Sequence, residues 1–448
     1  APTTDARGQL SSFDYQTGEI VFPRNANLGN FYTVYRPDIP VRQWNSNTLF
    51  DTNWKNVDPR VGLAYRLFGS SKTVFRAGFG VFAMSPELNS EMNTGNTPPF
   101  QLRIDDTGNA GAPNLSWALK GDPALLKDAA FGIFTFNANR DFVNGYIMQW
   151  TGEIQQQLPS NSVFKIGYVG NKGVHIDQHV VRNQKPPGPG PAASRRDFSQ
   201  FARLRSYESN GWVNYHSLQV SFEKRYSQGL NLTAAYTWSK SMDFGWTQDA
   251  CCQQDIDNLA AENGLSSQDQ RHRFTANALY ELPFGSGKRF LGSAHGVAGK
   301  LVEGWRIGTI ATLQSGFPVN PAVSGNRDNV PDNTDRPDRI GNGMYPSDQR
   351  SPDHWFDPAA FAVPALYTFG SSGRNVLTAP GVVNFDLVAA KFTTIGENRR
   401  LEFRAEFFNV TNTPNFGAPV ANISSTTFGK IFSAAAPRQI QLGLKFYF

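Results

Sequence analysis

The last eleven residues, Arg438-Gln-Ile-Gln-Leu-Gly-Leu-Lys-Phe-Tyr-Phe448, alternate without interruption. Ile440, Leu442, Leu444, Phe446 and Phe448 fall on one parity, and Gln439, Gln441, Gly443, Lys445 and Tyr447 on the other. A two-residue period predicts a strand with one apolar face. In a soluble β-domain this strand, ending in three aromatics, leaves an association-prone edge in water. In a transmembrane β-barrel the apolar parity faces lipid and the aromatics sit at the interface. Both folds satisfy this segment alone. On the barrel reading, the five apolar residues form the carboxy-terminal membrane-insertion signal.

The same period recurs along the chain. Val61, Leu63, Tyr65 and Leu67 alternate with Gly62, Ala64 and Arg66; a turn at Gly69-Ser-Ser-Lys72 leads into 73–83, with Phe75, Ala77, Phe79 and Val81 outward. Further strands are predicted at 146–157, around 164–168, around 217–223, at 230–239, at 271–282 and 304–314, around 383–389, around 401–407, and at the terminus. A hairpin over 9–24 is provisional. Connections run short, then long: Pro159-Ser-Asn161, Gln228-Gly229 and Gly396-Glu-Asn398 are brief turns, with a medium connection after Leu282. Segments 84–145, 171–214, 241–270, 315–382 and 411–437 are long, turn-rich loops, one containing Lys185-Pro-Pro-Gly-Pro-Gly-Pro191. Short periplasmic turns and extended outer loops characterise outer-membrane barrels. The expectation is an all-β transmembrane antiparallel barrel of eleven strands, thirteen with the provisional hairpin. An odd count implies further strands ahead of Ala1, because bacterial single-chain barrels are even-numbered.

Composition narrows the classes. Of 448 residues, 18% are charged and 13% aromatic, which argues against disorder. No apolar run reaches the length of a membrane helix, whereas barrel strands escape that test because they alternate. Ala1-Pro-Thr-Thr-Asp-Ala-Arg7 has no secretory leader, so the chain is expected to be processed or a portion of something longer. The net charge of +5 is scattered, which argues against nucleic acid as a partner. The six histidines are dispersed, and no Ser-His-Asp set, phosphate loop or supported carboxylate pair occurs, so no enzymatic activity and no cofactor are expected.

Several motifs together resemble the TonB-dependent outer-membrane receptors, and within them the Oar-like group. They are Val57-Asp-Pro-Arg-Val-Gly-Leu-Ala-Tyr-Arg66, Thr73-Val-Phe-Arg-Ala-Gly-Phe-Gly80, Tyr236-Thr-Trp-Ser-Lys-Ser241, Asp269-Gln-Arg-His-Arg-Phe274, Leu282-Pro-Phe-Gly285, Gly304-Trp305, Ser315-Gly-Phe-Pro318, Phe407-Phe-Asn-Val-Thr-Asn412 and the terminal Phe448. The resemblance implies a 22-stranded barrel filled by an amino-terminal plug and energised through TonB. It also implies residence in the cell outer membrane, with lipid, the barrel-assembly machinery and an unidentified ligand as partners. Residues 1–448 match only the later part of that barrel. No plug, regulatory-like domain or TonB-contacting segment is recognisable, so the TonB complex would be reached only through a region absent here. The expected function is TonB-dependent ligand uptake. The alternatives are a structural or adhesive barrel binding surfaces through its loops, and a soluble β-rich binding module.

Three groups of residues carry candidate chemistry. Cys251 and Cys252, adjacent in an outer loop, suit a vicinal disulfide, or a metal site with Asp255 and Asp257 that lacks zinc spacing. The segment 325–338 is rich in oxygen ligands for calcium, but Arg327, Arg336 and Arg339 neutralise it as a solvated loop. Arg66, Glu153, Lys165, Glu223, Arg273, Glu402, Arg404 and Glu406 fall on the polar parity; they either line a substrate path or pair with one another inside the lumen.

Overall fold

A computed structural model describes residues 10–24, 26, 36–48, 54, 56–69, 71–85, 104–105, 132–138, 142–184, 186–244, 253–330, 333–396 and 398–448. Eleven strands form one antiparallel meander: β1 (Arg60–Arg66), β2 (Thr73–Ala83), β3 (Tyr146–Leu158), β4 (Ser162–Arg182), β5 (Phe201–Ser227), β6 (Leu230–Asp243), β7 (His272–Glu281), β8 (Trp305–Gln314), β9 (Val382–Ile395), β10 (Arg399–Phe408) and β11 (Gln439–Tyr447). Each pairs with its sequence neighbours, and β1 and β11 are the two ends of the path. The short pieces Ile104–Asp105, Gly132–Ala138 and Gly264–Leu265 attach to its margins.

Register shows why this sequence makes one sheet. Tyr65, Phe75, Ile154, Ile166, Val220, Tyr236, Phe274, Leu313 and Val383 are successive cross-strand partners from β1 to β9. A second row runs Leu442, Ala405, Ala389, Ile307, Tyr280, Leu230 from β11 back to β6. Direct cross-strand partners share a face, so both rows are continuous apolar bands. Because side chains alternate, a slip of one residue would carry a whole band to the polar face. Turns of two and three residues pin the register at the short end. Gln228 and Gly229 hold φ of 53° and 78°, and Ser160 and Asn161 hold 57° and 55°, the left-handed geometry whose twist suits tight hairpins.

Two expectations need correction. The loop predicted over 171–214 is much shorter, because β4 continues to Arg182 and β5 begins at Phe201 with the two still paired. Val174, Ile176, Val180 and Val181 are strand formers, and the true breakers are confined to 185–191. The provisional first hairpin does form, as Ser12–Asp14 against Glu19–Phe22, but it lies outside the meander. It joins Val41–Gln43 in a separate three-stranded sheet, so among the described residues the meander has eleven strands and the hairpin adds none to it. This small sheet is held by Phe13, Ile20, Phe22 and Ile39, packed with Phe201 and Leu204 of β5.

The long connections build their own structure. Phe356, Ala360, Phe361, Leu377 and Phe428 form a buried cluster joining loop 315–381 to loop 409–438. The medium connection between β7 and β8 carries a short helix, Gly296–Val302.

Leu442 stands on the apolar band near the middle of β11 at 67% exposure, whereas Gln441 is on the opposite face. Leu442→Arg is expected to cost about 2–4 kcal/mol in lipid, the penalty for a cation at mid-bilayer on a lipid face. Gln441→Arg is expected to stay within about 1 kcal/mol of the parent on the same lumen-face reasoning. Denaturant unfolding in lipid vesicles compares the two.

Candidate functional site

A strand tilted across a bilayer needs about 9–11 residues. With 21 and 27 residues, β4 and β5 continue well beyond that length at the long-loop end. The three-stranded sheet docks on this extension through aromatic edges: the Phe13 ring meets Phe198 and Phe201 at centroid separations of 4.9 Å each. Between sheet and hairpin lies a cavity of about 790 Å³.

Charge dominates its walls. Four carboxylates, Asp14, Asp197, Glu208 and Asp257, face two guanidinium groups, Arg42 and Arg182, leaving a formal excess of two negative charges. Arg182 Nε donates to Glu208 Oε1 at 2.6 Å, and Asn210 donates to the other oxygen at 2.9 Å. Burial disfavours the Arg182 cation, but Glu208 and the nearby Asp257 outweigh it and raise its pKa above the usual arginine value. Arg42 bridges Asp14 at 2.7 Å and Glu19 at 2.6 Å, and its hydrogen bond holds the Glu19 carboxyl below the usual range. Both arginines are thus already neutralised, and an anionic guest would find no spare cation among them. Ser206 lines the same cavity at 2% exposure, and its hydroxyl has no hydrogen-bond partner among the described residues. A buried unpaired hydroxyl is costly unless a guest or water satisfies it.

Neighbouring loops brace this region. Arg336 and Glu262 form a bidentate pair at 2.8 and 2.9 Å with 2% and 1% side-chain exposure, tying loop 315–381 to loop 244–271. Arg374 joins them, donating to the Glu262 carbonyl at 3.0 Å and pairing with Asp243. Asn329 clasps the proline-rich loop, its side chain donating to Gly188 at 2.9 Å and Gly190 at 2.7 Å.

The residues singled out from the sequence are distributed as follows. Registration puts Arg66, Glu153, Lys165, Glu223, Arg273, Glu402, Arg404 and Glu406 on one face, opposite the apolar bands. Arg404 lies 2.6 Å from Glu406 and 3.7 Å from Glu402, which also accepts from Tyr447 at 2.6 Å. Glu153 pairs with Arg76 at 3.8 Å and Glu223 with Arg225 at 3.3 Å. Arg66, Lys165 and Arg273 make no ion pair among the described residues. Ile440, Leu442, Leu444, Phe446 and Phe448 share the apolar face of the last strand at 48–97% exposure. Cys251 and Cys252 lie outside the described residues. In the oxygen-rich loop, Asp328 accepts from the Val330 amide at 2.8 Å and from Asn333 at 2.6 Å, and Arg336 is committed to Glu262. Among the described residues no cluster of three or more metal-ligating side chains occurs. The cavity itself was not legible, because its walls come from the provisional hairpin and from strand extensions read as loop.

A meander with short connections at one end, long folded loops at the other and apolar bands around one face defines an outer-membrane β-barrel architecture. The chain belongs to the outer membrane beta barrel domain family, whose model matches residues 1–441, and so to the cell outer membrane. Such barrels and transporters are typically non-enzymatic. No curated protein matches the chain. Similar solved structures include the outer membrane transporter YddB from Escherichia coli, with 11% identity, TM-score 0.46, and coverage of 88% of this chain and 40% of that one. Another is the FrpB iron transporter from Neisseria meningitidis, with 13% identity, TM-score 0.40, and coverage of 88% and 39%. The ferric-catecholate import receptor Fiu from E. coli K12 has 11% identity, TM-score 0.39, and coverage of 87% and 34%. The chain therefore spans about two-fifths of the length of these proteins or less. With TM-scores below 0.5, these likenesses fix neither cargo nor mechanism.

Two predictions follow from the loop braces. Removing one partner of a buried pair costs about 3–5 kcal/mol, so Arg336→Met is expected to strip hydrogen-exchange protection from 253–271 and 333–377 while leaving β7–β9 protected. Burial, with Asp335 alongside, raises the Asp328 pKa from 3.8 to about 6. A raised folded-state pKa adds stability below the unfolded value and loses it as pH rises through the folded one. Exchange protection of 325–330 and 186–190, corrected for intrinsic rates, is therefore expected to be higher at pH 5 than at pH 7.5, and Asp328→Asn should flatten that difference.

Proposed function

We propose that this chain is the barrel portion of an Oar-like TonB-dependent receptor, capturing a ligand at its outer end for uptake. The observation that carries the reading is the cavity between the β4–β5 extension and the three-stranded sheet, with its buried unpaired Ser206 hydroxyl. An adhesive barrel needs a broad outer surface, whereas a walled cavity suits a discrete guest. The excess of carboxylates and the prior commitment of both arginines favour a neutral or cationic polar ligand. Aromatic side chains of Tyr15 and Phe198 supply apolar wall for its less polar side. In this scheme the eight charged residues of the opposite face line the lumen, where Glu402, Arg404 and Glu406 pair with one another and Glu153 and Glu223 pair with Arg76 and Arg225. The five apolar residues of β11 serve as the insertion signal read by the barrel-assembly machinery. Energy arrives through a TonB-contacting region and plug outside these residues.

The test uses protein extracted from native outer membrane. Mass spectrometry of released small molecules is expected to show a species retained by the parent and lost from Arg182→Met. Uptake of that species by cells should stop when a protonophore collapses the inner-membrane gradient. Retention unaffected by the substitution would move capture elsewhere, and uptake indifferent to the gradient would remove the TonB step.

A further inference from the structure

The apolar face of the sheet carries a second, different site. One basic residue stands on each of four consecutive strands: Lys172 on β4, His216 on β5, Lys240 on β6 and His272 on β7. His216 is directly opposite Lys240, and on its other side opposite Gly170, two positions from Lys172. His272 is directly opposite Trp238, two positions from Lys240. Each basic residue is thus the direct or diagonal cross-strand neighbour of the next, about 5 or about 7–8 Å apart. All four are exposed.

Among the described residues, no carboxylate stands in the rows of this stripe; the partners there include Met148, Trp150, Asn214 and Met242. Placing His216 opposite Lys240 is unfavourable whenever both are charged, unless an anion lies between them. The two histidines are also oriented. Tyr168 is hydrogen-bonded to His216 Nδ1 at 2.5 Å and Tyr236 to His272 Nδ1 at 2.8 Å, each with its ring stacked on the imidazole. That leaves Nε2 of each ring, and both lysine amines, without a partner among the described residues. Toward the short-turn side the same face carries Tyr168, Tyr236 and Trp238 and then the continuous apolar band, the sequence of zones expected on passing from headgroups into hydrocarbon.

We propose that the stripe Lys172–His216–Lys240–His272 binds the phosphate groups of a phosphorylated glycolipid of the outer leaflet, holding it as a fixed boundary lipid. The compensating anion must come from the lipid side, because the stripe shares its face with lipid-exposed aromatics. This inference rests on the outer-membrane fold and is independent of the ligand-capture reading.

The test is native mass spectrometry of the full chain in detergent, with diphosphoryl lipid A, the same lipid enzymatically dephosphorylated, or inorganic phosphate added. Diphosphoryl lipid A is expected to be retained and its dephosphorylated form not. A basic residue near an anionic surface contributes roughly a factor of five, so Lys172→Gln with Lys240→Gln should weaken retention about thirtyfold. Lys72→Gln with Lys288→Gln, which removes the same charge from the short-turn end, should leave retention unchanged. Equal retention of the two lipids by the parent, equal loss in both double variants, or full displacement by inorganic phosphate would each overturn the proposal.

Discussion

In hydrocarbon no water is available to satisfy a peptide group, so every amide and carbonyl that crosses must find a partner in a neighbouring strand. That requirement governs this chain. Its eleven strands meet it by pairing strictly in sequence order, the arrangement that costs least to close because each partner is the next segment to arrive. Strands Arg60–Arg66 and Gln439–Tyr447 are paired on one side only among the described residues. In a bilayer each of these edges takes a partner, since a bare edge there is not tolerated.

The ladder also fixes which side chains meet. One register sorts the apolar bands to lipid and the acids and arginines to the other face, where Arg404 lies between Glu402 and Glu406 and Arg306 meets Glu281 at 2.5 Å. Charges that share a confined, partly dehydrated space gain by pairing, and the strand spacing brings them within reach. Outside the membrane the constraint disappears and ordinary globular rules return. The loops bury Phe356, Phe361 and Leu377, cross-brace through Arg336 and Glu262, and pack a small sheet against β5.

Most of the meander was legible in the sequence because alternation is strongest where one face meets lipid. The strands around Phe75, Trp150, Tyr236 and Leu442 announce themselves by parity alone. Legibility failed where both faces of a strand are buried in protein. From Ile176 to Val181 and at Leu204 and Tyr207 both parities are enclosed, so the alternation is lost and the segment resembles loop. The first hairpin gave a weak signal because its strands have only three and four residues. That the charged residues share one face was visible in advance, whereas their pairing was not, since parity gives the face but not the neighbour. The Arg336–Glu262 contact joins residues 74 positions apart, and no local pattern encodes it.

The extended β4–β5 hairpin has an electrostatic consequence. From Lys172, near the headgroups, to Arg182 at the cavity is ten residues of strand, about 33 Å along its axis and roughly 23 Å of height if tilted by about 45°. At physiological ionic strength the Debye length is about 8 Å. The cavity therefore stands about three screening lengths above the lipid phosphates, and their potential has largely decayed there. Its own carboxylates set the field a guest encounters, so the lipid contacts and the acidic cavity can coexist on one hairpin without weakening one another.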